Sequence, residues 1–354
     1  MARPTDRENR RQLDLLSYSG AGLGPLAPSL AKLLCDIIGG ESCVIGWGYQ
    51  NGAPNCGYAQ VATPSTLDCF TNQYQSLFLG AHEYTSAWIA AQTGYPVGKM
   101  LNPDRRFFRS NTFNLMIRGI ALHHTLDLRV DVGGITEAVV GLFRPVANPF
   151  SETDAERLMG LLPALQRISA NRASEEQGHV EAGYLLVDSG GDRILMADES
   201  ASRLLRASFL VGHQIPVAGP IEHAPLFVRK LCRQLQAQPA SCPTHLTEVA
   251  GGTLRATARY MGTTAADPPE AASILVALQI TFPGVLDIVD KIARLKLSPM
   301  QGRIALYAAR GGRRKDCAHL QAVSQEALKK HLRHIYAATG TSGWDELSQQ
   351  LTQQ

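Results

Sequence analysis

Leu297 to Leu351 reads LSPMQGRIALYAARGGRRKDCAHLQAVSQEALKKHLRHIYAATGTSGWDELSQQL, and the fold of this end of the chain turns on how its apolar residues repeat. Leu328, Leu332 and Ile335 stand at i, i+4 and i+7, on one face of a helix expected from Ser324 to Ala338. Lys329, Lys330 and Arg333 fall on a different face. A short helix that is anchored on its apolar side and cationic on the other has the form that enters a DNA major groove.

The flanking residues fit the same pattern. Ser298-Pro299-Met300-Gln301 is a capping box with proline at the first helical position, and Gly311-Gly312 closes the helix it opens. A second short helix is expected from about Arg314 to Gln321. A tight turn near Ala322-Val323 then brings Ser324 to the cap of the next helix. Helix, short turn and capped helix make a helix-turn-helix, and a last helix near Trp344–Leu351 would close the bundle. Between Lys291 and Tyr336, eleven Lys and Arg stand against two Asp and Glu. That surplus of nine on a chain of net charge +3 leaves the remainder at −6. A basic lobe on a mildly acidic body is the electrostatic footprint of a DNA-binding module.

This segment resembles the LuxR-type (FixJ/NarL-like) helix-turn-helix domain of bacterial transcription regulators. The residues that carry the resemblance are Leu297-Ser298-Pro299, Gly311, Ala318, Val323-Ser324, Lys329, His331-Leu332, Ile335-Tyr336, Thr339-Gly340-Thr341 and Leu347. The resemblance implies that Lys329, Lys330 and Arg333, with His331 on the same helix, reach base edges or nearby phosphates. It implies that Arg313, Arg314 and Lys315 hold the DNA backbone. Departures from the family pattern include Gln301 in place of an acidic residue and Trp344 at a usually polar position. Gln321 replaces a scaffold leucine, and Leu320 is expected to pack in its stead. Gly302, inside a helix, costs about 1 kcal/mol relative to alanine.

Upstream, the pattern divides into two α+β stretches. In the first, a helix at Leu26–Ile38 leads to a strand at Cys43–Gly48, an Asn51-Gly52 turn and a second strand near Cys56–Ala62. Helical sequence follows from Asn72 to Ala91. Leu126–Val132, Gly133-Gly134 and Glu137–Arg144 read as a hairpin, and Ser151 caps a helix to Asn171 that Pro163 should bend. The second stretch has strands at Tyr184–Asp188, Arg193–Ala197, Leu254–Tyr260 and Ile274–Phe282, with a short helix through Ser202–Leu205. Phe108–Gly119, Gly141–Pro145 and Pro149–Gln166 resemble a GAF domain, and Ile194–Ala201 resembles the hairpin-to-helix passage of a PAS domain. The expected architecture is therefore multidomain. A GAF-like α+β sensor domain (8–172, ending in a connecting helix) and a PAS-like α+β domain (180–283) precede a linker helix with an all-α LuxR-type helix-turn-helix domain (284–354).

Both sensor folds commonly enclose a small ligand, and Trp47, Tyr74, Phe78, Trp88, Phe113 and His123 are the side chains available to line such a pocket. His123-His124 is not a metal or heme pair, because adjacent side chains diverge and no carboxylate or cysteine stands at ligand spacing. The sequence has no Gly-x-Ser-x-Gly elbow, His-Glu-x-x-His or phosphate loop, so neither catalysis nor a cofactor is expected. Gly20-Ala21-Gly22-Leu23-Gly24 is glycine-rich but follows no strand, so it reads as a linker or the start of a helix. With 45% hydrophobic and 18% charged residues the chain is of ordinary globular composition. No apolar run nears the ~20 residues of a membrane helix, and no leader-like run follows Arg7, Arg10 and Arg11. Seven irregularly spaced cysteines suit reduced thiols in a cytoplasm.

The reading that follows is a cytoplasmic regulator that binds double-stranded DNA as a homodimer under the control of a small-molecule or protein signal. The helices near Glu152–Asn171 and Val285–Leu295 are expected to pair subunits; Leu286, Val289 and Ile292 give the latter an apolar edge that forms either a dimer seam or a contact inside its own subunit. The alternative keeps the fold but makes the C-terminal unit a protein-interaction module that sequesters another regulator.

Overall fold

The computed structural model describes residues 5–50, 52–80, 82–171, 178–261 and 272–353. Asn51 of the expected Asn51-Gly52 turn lies outside them. The first α+β region opens with two helices, α1 (Asp6–Ser17) and α2 (Leu23–Ile38), followed by strands β1 (Ser42–Gln50) and β2 (Ala53–Ala59). Three short helices follow, α3 (Pro64–Asn72), α4 (Tyr74–Phe78) and α5 (Ser86–Ala91). Irregular helical turns over 107–120 lead to β3 (His124–Val132) and β4 (Ile135–Arg144), then to α6 (Glu152–Met159) and α7 (Leu162–Ala170).

The four strands form one antiparallel sheet in the order β2-β1-β4-β3. Its register places Ile45, Val140 and Leu128 side by side on one face, beneath α1, α2, α6 and α7. Gly46, Gly57 and Val139 lie on the other face, beneath the short helices and the 107–120 turns. The helix expected as one bent rod is two: Gly160 and Leu161 separate α6 from α7, and Pro163 sits in the first turn of α7, where its missing N–H is not needed.

The second region contains β5 (Gly178–Val187), β6 (Ile194–Ala197), α8 (Glu199–Ala207), α9 (Leu226–Ala237), β7 (Thr244–Val249), β8 (Gly252–Tyr260) and β9 (Ile274–Pro283). They form a second antiparallel sheet, β6-β5-β9-β8-β7. One face buries Leu185, Val276, Leu278 and Ala256 under α8 and α9, while Tyr184 and Leu246 on the other stand 48% and 45% exposed. Leu210 bridges Cys56 in antiparallel fashion, and the Val211 amide donates to the Asn55 carbonyl (3.0 Å), so the loop after α8 extends the edge of the first sheet.

The C-terminal region is wholly helical: α10 (Val285–Arg294), α11 (Pro299–Ala309), α12 (Arg314–Leu320), α13 (Gln325–Thr339) and α14 (Trp344–Thr352). Its apolar interior is continuous with that of the other two regions, through Leu15, Leu254 and Ile304 alike. This packing favours the intra-subunit reading of the α10 edge and corrects the expectation for α6 and α7. Val289 and Ile292 on α10 are fully buried within the chain, as are Leu158, Leu165 and Ile168 on α6 and α7. Those edges are consumed by α1, α11, α14 and β3, and are not open seams for a second subunit.

Candidate nucleic-acid interface

The pair α12 and α13 forms from local signals. Ser324, in extended backbone, accepts the Ala327 amide on its hydroxyl (3.1 Å), which caps α13. Gly340 ends α13 in the left-handed region at φ +71°, a conformation glycine adopts without strain. Between the helices, Ala322 takes φ +51°. Leu328, Leu332 and Ile335 are buried to 2% exposure or less, so the stripe read from the sequence is the face that holds α13 to its scaffold. On α12 the anchors are Cys317 and Ala318.

Lys329, Lys330, Arg333 and His334 are exposed on α13, whereas His331 is half-buried. Arg313, Arg314 and Lys315 are exposed at the start of α12. Two of these cations have carboxylate partners. Lys329 meets Glu326 at 3.0 Å and Arg313 meets Asp316 at 2.8 Å, each three residues apart on one helix. Such exposed pairs are worth about 0.5 kcal/mol or less, so a phosphate can displace them. Lys330, Arg333, Arg314 and Lys315 have no ion pair among the described residues. His334 belongs to this face and was missed in the sequence, although its position four residues after Lys330 was the available signal.

Leu320 does not take the place of the missing scaffold leucine: it is 60% exposed, because α12 turns Cys317 and Ala318 inward instead. Trp344 braces the opposite end of α12. Its indole donates to the Gly312 carbonyl (2.8 Å) and its ring lies 6.2 Å from Tyr307. The unexpected tryptophan therefore ties α14 to the turn that starts α12.

The six aromatic candidates upstream do not converge on one pocket. Trp47 belongs to the sheet face that packs α2. Tyr74 and Phe78 form a chain with Phe70 (5.6 Å between successive rings) in a cluster on the opposite face. Trp88, Phe113 and His123 belong to a third group, linked through Tyr84, Phe107 and Phe108 at ring separations of 5.0–5.9 Å. His123 stacks on Phe108, and burial together with the neighbouring His124 lowers its pKa. Burial likewise pushes the thiols of Cys35 and Cys56 up to about 12. Among the described residues no three His, Cys, Asp or Glu side chains gather as a metal site, and no helix is long and apolar enough to cross a membrane.

No protein-family model and no curated protein matches the chain. Among solved structures, a phage VqmA in complex with DPO overlaps 48% of this chain and 79% of its own, at 13% identity and a TM-score of 0.24. A VqmA dimer of Vibrio cholerae, described as a LuxR-type receptor, overlaps 48% and 81%, at 10% identity and 0.19. The sensor region of a sensor histidine kinase overlaps 47% and 65%, at 16% identity and 0.19. Likenesses this slight assign neither a fold nor a function.

Proposed function

We propose that this chain is a DNA-binding transcription regulator of the LuxR type. In this reading the GAF-like region (8–172) and the PAS-like region (180–283) receive a signal, and the unit over 284–354 carries it to DNA. One observation carries the reading. α13 is fixed to its bundle by Leu328, Leu332 and Ile335, while Lys330 and Arg333 project outward with no ion pair among the described residues.

Laid in a major groove, α13 would put Arg333 and Lys330 against base edges and phosphates. Lys329 would join them once released from Glu326, and Arg313, Arg314 and Lys315 would grip the backbone beside it. His331, half-buried, would position rather than contact. The chain would act in the cytoplasm as a homodimer, with no catalytic step, on half-sites about 34 Å apart. A small, mainly apolar effector suits the face lined by Trp88, Phe113 and His123, whose lowered pKa favours a neutral ring there. It would act through unequal affinity for two arrangements of the chain.

The test is an electrophoretic shift of the full chain on random and promoter fragments across a salt series. Affinity should fall steeply with salt, and Lys330→Ala should lower the log–log slope by about 1. Binding that is flat with salt, or none at any salt, removes the reading. The sequestering alternative gains from Leu320, an exposed leucine beside the basic residues of α12. If that alternative holds, Leu320→Ser abolishes capture of a partner regulator while Lys330→Ala does not.

A further inference from the structure

The basic residues of the scaffold helix α11 have a different fate from those of α13. Arg303 grips the Asp14 carboxylate of α1 through two nitrogens, at 2.6 and 2.9 Å, and its guanidinium lies 4.2 Å from the centre of the Tyr18 ring. Both partners of that ion pair are three-quarters buried or more. Arg310, two turns on, donates to the Tyr18 carbonyl (3.3 Å) and lies across Gly20. Gly20 stands at φ +80°, and a Cβ there would overlap the guanidinium. Gly302 faces Leu15, whose Cδ2 would be 3.0 Å from an added Cβ. The helix-weakening glycine of α11 is thus the gap that admits α1.

The same short segment is held from other sides. Arg167 of α7 donates to the Ser17 hydroxyl (3.1 Å), lies 4.9 Å from the Tyr18 ring centre and stands 3.9 Å from the Asp14 carboxylate. Glu248 of β7 accepts the Gly24 amide (3.0 Å) at the start of α2, and a Cβ on Gly22 would overlap its carboxylate. The glycine-rich run is therefore a junction: one glycine clears Arg310 from the helix-turn-helix unit, and two clear Glu248 from the second sheet.

We infer that Asp14–Gly24 is a latch between the sensor regions and the helix-turn-helix scaffold. Asp14 and Tyr18 are acceptors shared by Arg167 of the first region and Arg303 of α11, and releasing Arg303 is the step that frees the scaffold to move. The inference deepens the proposed regulator and rests on that reading for its purpose. Its structural content does not. A shared carboxylate and a shared ring give the junction two partners of like charge, so a small displacement of α7 changes the hold on α11. The same helix α1 also meets α10, where Arg11 donates to the Ile292 carbonyl (3.0 Å) and Gln12 to Asp290 (2.8 Å), so the junction bears on two helices of the bundle.

Hydrogen exchange of the full chain without DNA tests the latch directly. In Asp14→Asn and in Tyr18→Ala, amides of α1 and α11 should exchange at least ten-fold faster together, while those of β4 and β9 keep their rates. Tyr18→Phe retains the ring and should match the parent. Unchanged exchange in α1 and α11 overturns the latch, as does a rise spread equally over the two sheets. Arg303→Gln, which removes the charge that pairs with Asp14 and keeps a long side chain beside Tyr18, gives a second variant should either of the others fail to fold, and the same α1–α11 signature is required of it. Because no DNA is present, failure to bind DNA in the shift assay leaves this result standing on its own.

Discussion

Helices α11 and α13 belong to one small bundle, yet Arg303 of α11 and Arg310 at its C-cap are used in the opposite way to the cations of α13. Arg303 of α11 turns inward to Asp14 of α1, and Arg310 at its C-cap lies over the surface to donate to the Tyr18 carbonyl. Lys291 on α10 is spent likewise on the carbonyls of Leu351 and Gln353. On α13, Lys330 and Arg333 point outward with no ion pair among the described residues. The basic residues between Lys291 and Tyr336 thus differ in use: Arg303 and Arg310 tie α11 to the segment around Tyr18, Lys291 ties α10 to the end of α14, and Lys330 and Arg333 have no ion pair among the described residues. Counting charge along the sequence locates a basic lobe; only the partners of each cation locate an interface.

The comparison breaks most visibly if α13 is unseated. Leu332→Ala should destabilise the C-terminal unit by about 2–5 kcal/mol, because the leucine is fully packed and leaves a cavity. Thermal unfolding followed by tryptophan fluorescence should show it through Trp344. A loss below about 1 kcal/mol would mean that the stripe is not the anchor.

Acid sharpens the contrast between exposed and buried bases. Burial, followed by the charges of His245, Lys230 and Arg229, pulls His213 down to about 4. It lies in the loop that extends the first sheet and accepts the Phe227 amide on Nδ1. Folded His213 stays neutral where the unfolded chain takes up a proton. Its stabilisation is therefore complete above pH 6.5 and declines as pH falls toward 4, by roughly 3 kcal/mol in all. In urea titrations at several pH values, His213→Gln should flatten that dependence. An equally steep decline in the variant would assign the effect to other groups.

Arg333→Ala should weaken DNA binding by about 1–3 kcal/mol and blur sequence preference, without moving the unfolding midpoint. Binding isotherms on a cognate and a scrambled duplex, measured beside a melting curve, separate these effects. The smallest expected change is at Lys329: Glu326→Ala removes its partner and should alter stability by no more than about 0.5 kcal/mol while slightly strengthening DNA binding. Weaker DNA binding in that variant would place Lys329 outside the interface.

How much of this was legible in the sequence depended on the range of the signal. Ser298, Ser324, Gly311 and Gly340 act within one turn of their own helices, and the helices of the C-terminal unit lie close to where these residues put them. The same kind of signal went unread at Thr5 and Glu8, which form the capping box of α1. It also went unread along α9, where Phe227, Leu231 and Leu235 repeat at four-residue intervals. Other features were beyond local reading. Gly302 looked like a weak point and is the seat of Leu15, because the residue that fills the gap lies nearly 300 positions away. Trp47 and Tyr49 should share a face by strand alternation. Gly48, at φ +67°, interrupts it, so that Trp47 packs toward α2 and Tyr49 toward the aromatic side. The six candidate ligand residues divide for another reason: Trp47 keeps the face of Ile45, while Tyr74 and Phe78 pack in a cluster separate from that of Trp88 and Phe113. β2 likewise begins three residues earlier than expected, since strand ends are set by pairing with β1 and not by composition.

The most direct measurement of the central claim is the salt dependence of duplex binding by the full chain, with Lys330→Ala/Arg333→Ala beside the parent. The account predicts a steep linear fall of log affinity with log salt in the parent and a slope shallower by about 2 in the variant, with both proteins melting at the same temperature. Equal slopes in the two proteins, or a parent that binds no duplex, would contradict it.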